Sequence, residues 1–121
     1  MAKRILVVDD ERDISEVLKK RLESRGYLVE TAPNGKEALK LIRQKPADLI
    51  ILDIMMPVMD GPQTATALKE DPKTEKIPII FLSAILDKSE SYDEKSGANI
   101  VFSKPYDWEQ LLGKVVSLIG I

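Results

Sequence analysis

Three features of this sequence predict an α/β fold with a doubly wound, five-stranded parallel sheet. Short apolar runs recur at 5–8, 49–52 and 77–84, as expected of strands buried on both faces. Segments with helical apolar spacing separate them, and alternating strands and helices give parallel sheets. Polar residues follow the strands: Asp9, Asp10 and Glu11 after the first, then Asp53, Ser83 and Lys104. In the strand order 2-1-3-4-5 these residues meet at one rim, beyond the carboxyl ends where such sheets bind ligands.

"ILVV" (5–8) is the first strand. Ile14, Val17, Leu18 and Leu22 then fall at helical spacing, and Gly26 sits where a glycine ends a helix. "YLVETA" (27–32) alternates like a less buried strand, and Asn34-Gly35 marks a turn. Ala38, Leu39 and Ile42 stripe a second helix that Pro46 stops. "LIIL" (49–52) is the third strand, and residues 62–70 form a third helix that ends at Asp71-Pro72. "KEDPKTEK" (69–76) reads as a solvated loop. "IPIIFLSA" (77–84) is the fourth strand, with its proline at the entry, where a missing N–H costs little. "DKSESYDEKS" (87–96) is almost wholly polar, so a fourth helix there is weak. "NIVFS" (99–103) is the last strand, and Leu111, Leu112, Val115, Val116 and Ile119 stripe a fifth, terminal helix. Residues 1–121 make one domain, without repeats or long linkers.

Composition removes several chemistries. The 121 residues contain no cysteine and no histidine, so there is no disulfide, no thiol nucleophile, no zinc–thiolate site and no imidazole base. An oxygen-rich site would favour Mg²⁺, Mn²⁺ or Ca²⁺. A net charge of −2 gives no basic footprint for direct nucleic-acid binding. No apolar run is long enough to span a membrane. The start, "MAKRILVVDDE", reaches acid after four apolar residues, unlike a signal peptide. A cytoplasmic location is expected.

Taken singly, the rim residues have plain readings. An acidic pair after a strand caps the next helix, Asp53 is a turn residue, and Lys104-Pro105 is a loop. Met55, Met56 and Met59 pack a loop, and Trp108 packs a core or an interface. Together they carry more. Clustered carboxylates repel and raise one another's pKa, and a hard divalent cation relieves this. Mg²⁺ takes one or two carboxylates with waters and phosphate oxygens. Lys104 adds a point charge for phosphate.

"ILVVDDE", "LIILDIMMPVMDG", "IIFLSA" and "VFSKP" resemble, in order, the four signatures of a response-regulator receiver domain of two-component signalling, across nearly the whole chain. The resemblance implies a flavodoxin-like fold and a signalling switch. It places Asp53 as phosphoacceptor, Asp10 as a direct Mg²⁺ ligand and Asp9 as one acting through water. It gives Asp53 and the Met55 backbone carbonyl further metal positions, with Mn²⁺ as a possible substitute. Ser83 matches the hydroxyl that binds the phosphoryl group, Lys104 the lysine that pairs with it, and Pro105 the proline after a cis bond. With no histidine in these residues, the phosphodonor is a sensor histidine kinase or phosphotransfer protein. The output is a downstream protein or an output domain, so the chain is either a stand-alone receiver or part of a longer regulator.

The sequence departs from the family in three places. Val101 stands where relatives carry a switching aromatic residue, and strand alternation points the adjacent Phe102 to the other face. The interval from Ser83 to Lys104 is about one residue short. Residues 87–96 lack an apolar helix face. Met55 and Ile85, each the second residue after Asp53 and Ser83, are the positions best placed to orient a hydrolytic water; both are apolar, so slow self-dephosphorylation is expected. Three other functions remain open. An aspartate-nucleophile Mg²⁺ phosphatase would want a second aspartate where Met55 stands. An interaction module that had lost phosphorylation would not need the five matched residues. A flavodoxin-like cofactor binder would need a glycine-rich loop after the first strand.

Overall fold

The structure, a computed structural model, describes residues 2–54, 61–83, 100–104 and 106–120. The strands are β1 (Arg4–Val8), β2 (Leu28–Ala32), β3 (Leu49–Asp53), β4 (Ile79–Ser83) and β5 (Ile100–Ser103). The helices are α1 (Arg12–Glu23), α2 (Gly35–Gln44), α3 (Gly61–Glu70) and α4 (Trp108–Ile119). All strand pairs are parallel, in the order β2-β1-β3-β4-β5. The expected sheet order is therefore observed. Four helices occur among the described residues; the weak helix expected at 87–96 lies outside them.

Side-chain alternation divides the sheet into two buried faces. Ile5, Val7, Leu49, Ile51, Ile80 and Leu82 pack with Leu18 and Leu22 of α1 and Leu111 and Val115 of α4. Leu6, Val8, Ile50, Leu52, Ile79 and Phe81 pack with Ala38, Leu39 and Ile42 of α2 and Leu68 of α3. The continuous apolar runs are needed because both faces of β1, β3 and β4 are covered. Val101 joins the second cluster and Phe102 the first, as alternation predicts.

Local chemistry sets the helix ends. Asn34 caps α2 by accepting from the Glu37 N–H at 2.9 Å, so the expected turn at Asn34-Gly35 is a helix start. Asp107 caps α4 through the Gln110 N–H at 3.1 Å. Gly26, at φ 95°, closes α1. Its N–H donates to the Glu23 carbonyl at 3.0 Å, and the Tyr27 N–H donates to Leu22 at 3.3 Å, the paired bonds of a Schellman turn.

Three expectations need correction. Val17 is 50% exposed, because only Leu18 and Leu22 of the α1 stripe point fully into the sheet. Tyr27 precedes β2 instead of opening it; it is buried, and its phenol donates to the Gly120 carbonyl at 2.6 Å. The loop after α3 is not wholly solvated, since Thr74 is buried and its hydroxyl donates to the Leu68 carbonyl at 2.6 Å.

Burial raises the Tyr27 pKa. As pH rises, the unfolded chain gives up this proton first, so the phenol's contribution to stability is full below about pH 10 and fades as pH passes the higher folded value. Tyr27→Phe should cost about 1 kcal/mol at neutral pH and lessen the alkaline loss. Urea titrations at neutral pH and above pH 10 check both, and an unchanged alkaline loss in the variant would assign that loss to other groups.

Candidate functional site

The carboxyl ends of β1, β3 and β4, and the residue after β5, gather the polar side chains. Asp9 leaves β1 and Asp53 ends β3; both are buried. Asp10 and Glu11, next to Asp9, are exposed. Carboxylate oxygens of Asp9, Asp10, Glu11 and Asp53 all lie within 4.8 Å of one another. Ser83 is buried at the end of β4. Its carbonyl accepts the Lys104 N–H at 2.9 Å, which ties the lysine's backbone to the hydroxyl residue.

The Lys104 ammonium reaches back across the sheet. It donates to Asp9 Oδ2 at 2.8 Å and Asp53 Oδ2 at 3.2 Å, and Glu11 Oε1 lies 3.6 Å away. The lysine side chain is only 9% exposed, and those of Asp9 and Asp53 are 1% and 4% exposed. Burial alone would lower the lysine pKa; the hydrogen bond and charge of Asp9, followed by those of Asp53, reverse this and hold it above its ordinary value. Asp9 has a second role. Its Oδ1 accepts the Glu11 N–H at 2.8 Å, a turn just before α1; the N-cap residue is Glu11, with no side-chain cap bond, so the capping role expected of the acidic pair is not observed.

The oxygen-only set fits a hard divalent ion. Such an ion is held by carboxylates and completes its shell with water and phosphate oxygens. Asp9, Asp10 and Asp53 converge as expected, with Ser83 and Lys104 at the same rim. Glu11, which follows Asp9 and Asp10 in the sequence, joins the acidic group; no metal or phosphoryl role was expected of it, because a third consecutive acid reads more simply as the start of α1. Met55, Ile85 and Pro105 lie outside the described residues.

The family model for the response regulator receiver domain matches residues 5–116. The chain belongs to that family. It is a receiver domain of two-component signalling, the class that accepts a phosphoryl group and switches. The receiver is 39% identical over 119 residues to the DNA-binding dual master transcriptional regulator RpaA of Synechocystis, across 96% of this chain and 48% of that protein. It spans about half the length of the first curated relatives it matches. Among solved structures it resembles the response regulator TrrA of Thermotoga maritima in complex with Mg²⁺–BeF, at 40% identity and a TM-score of 0.81, over 96% of this chain and 98% of that one. It also resembles the receiver domain of a sensor histidine kinase from Pseudomonas aeruginosa with a magnesium ion coordinated in its active-site cleft. That match has 26% identity and a TM-score of 0.85 over 100% of both chains.

In metal-free receiver, Lys104 is the counter-charge of two buried carboxylates. Lys104→Gln should then cost about 3 kcal/mol, and saturating Mg²⁺ should return much of that loss. Urea unfolding in EDTA and in Mg²⁺ measures both. Equal losses under the two conditions would mean that the lysine contributes packing and not charge.

Proposed function

We propose that this receiver takes a phosphoryl group onto Asp53 from a phosphohistidine on a sensor histidine kinase or phosphotransfer protein. The observation that carries this is Asp53 itself, a buried carboxylate at the end of the central strand, facing one ammonium and a cluster of acids. Asp10 would hold Mg²⁺ directly and Asp9 through water, with Asp53 and the Met55 carbonyl supplying the other protein ligands, and Mn²⁺ would serve in its place. The ion, when bound, neutralises charge on the phosphoryl oxygens. An Asp53 carboxylate oxygen attacks phosphorus in line; the new O–P bond forms as the donor's N–P bond breaks, and the bonding pair leaves with the donor imidazole. Positioning and charge neutralisation supply most of the catalysis in such transfers. Lys104 moves from Asp53 to a phosphoryl oxygen, and the Ser83 hydroxyl donates to another. That rearrangement is the switch.

The switched surface acts on a downstream protein or an output domain. The −2 net charge favours a domain that does not itself hold nucleic acid. No helix among the described residues is long and apolar enough to cross a membrane, in keeping with a cytoplasmic switch.

Acetyl phosphate with Mg²⁺ should add one phosphoryl group, as read by intact mass. Asp53→Asn should abolish the addition, and Asp10→Ala should weaken Mg²⁺ binding. Unchanged phosphorylation of Asp53→Asn would sink the assignment. Met55 and Ile85 bear on lifetime: neither side chain holds a water by a strong hydrogen bond, so the aspartyl phosphate hydrolyses slowly. After donor removal, Met55→Asn and Ile85→Glu should decay faster than wild type; if neither does, these side chains do not govern access of water.

A further inference from the structure

The chain leaves β3 at Asp53 and comes back to it at Gly61. The Ile54 N–H donates to the Leu82 carbonyl of β4 at 2.9 Å, and the Gly61 N–H donates to the Ile54 carbonyl at 3.1 Å. Gly61, the first residue of α3, is buried. A methyl group on its Cα would stand 2.6 Å from the Asp53 carbonyl oxygen, 2.8 Å from the Ile54 Cα and 3.3 Å from the Asp53 carbonyl carbon. All three are backbone atoms at the end of β3, which is paired with β4 at Asp53 and with β1 as far as Leu52. No flexible side chain can turn away to make room. The positive-φ glycines among the described residues are Gly26 and Gly120. Gly61 is therefore required for space and not for a left-handed backbone.

We propose that Gly61 is a positioning residue for Asp53. Its bare Cα fixes the peptide plane between Asp53 and Ile54, and so sets the direction in which the Asp53 carboxylate leaves the strand. This rests on Asp53 being the phosphoacceptor. The carboxylate has little room for error: Lys104 lies 3.2 Å from Oδ2, at the long end of a hydrogen bond. A Cβ at Gly61 pushes the Asp53 carbonyl, turns its Cα–Cβ bond, and misaims the oxygen that must meet the phosphorus. A misplacement of about 1 Å lowers a positioned reaction roughly a hundredfold.

Two other glycines separate aim from stability. Gly26 lies at the amino edge of the sheet, away from the site, and has open space around a would-be Cβ; Gly26→Ala strains only the end of α1 and lowers the unfolding midpoint. Gly113, exposed within α4, also has open space, and Gly113→Ala raises the midpoint by favouring helix. The experiment measures unfolding midpoint, Mg²⁺ affinity by titration, and phosphorylation rate at saturating acetyl phosphate and Mg²⁺. Gly61→Ala and the double variant Gly61→Ala/Gly113→Ala should both lose roughly a hundredfold in rate, with weakened Mg²⁺ binding. Gly26→Ala should react as wild type despite its lower midpoint. Recovery of the wild-type rate in the double variant, or an equal rate loss in Gly26→Ala, overturns the proposal. So does a double variant that cannot fold, because the whole fold then absorbs the clash. If the phosphoacceptor reading itself were wrong, wild type would carry no phosphoryl group on Asp53, a result distinct from all of these.

Discussion

The ion-paired Lys104, Asp9 and Asp53 are the constraint on which the site depends. Two carboxylates buried together repel. One ammonium within 3.2 Å of both offsets that repulsion. The arrangement is also displaceable. In the proposed reaction a divalent ion becomes the acids' partner and a phosphoryl oxygen the lysine's, and the move of Lys104 is transmitted to the backbone of the edge strand.

The two-faced core makes that transmission possible. Leu49 to Leu52 are fully or almost fully buried, alternating between the two clusters. β3 is therefore held from both sides and by hydrogen bonds to β1 and β4. Such packing resists small displacements. Asp53 inherits that rigidity, while Lys104 follows the edge strand β5, whose residues are only partly buried. The acid is fixed and the base stands on the softer element, a suitable division for a switch. Val101 lies on that same edge strand and packs against the second cluster.

Legibility followed how much each residue depends on distant parts of the chain. Buried strands showed as apolar runs, and Gly26 acts through a bond to a residue three positions away. Tyr27 was misread because its partner, Gly120, is 93 residues distant. Thr74 was misread because its composition is that of a solvated loop, while its hydroxyl satisfies the end of α3. Val17 has the right spacing for a core position but lies at the margin of the α1 stripe.

The sequence by itself determined the class of fold, the strand order and the chemistry available at the rim. Hydrophobic periodicity is a local property, and the absence of histidine and cysteine leaves few ways to use four acids and a lysine. It also marked Gly61 as part of a motif, without a reason. Tertiary structure decided which oxygen of Asp9 takes the Glu11 N–H and which one holds Lys104. It set the Glu11 carboxylate within 4.8 Å of the other three acids, and it left no room at Gly61 for a carbon atom. Those outcomes depend on distances of a few ångströms between segments far apart in the chain, fixed only when both faces of the sheet are packed.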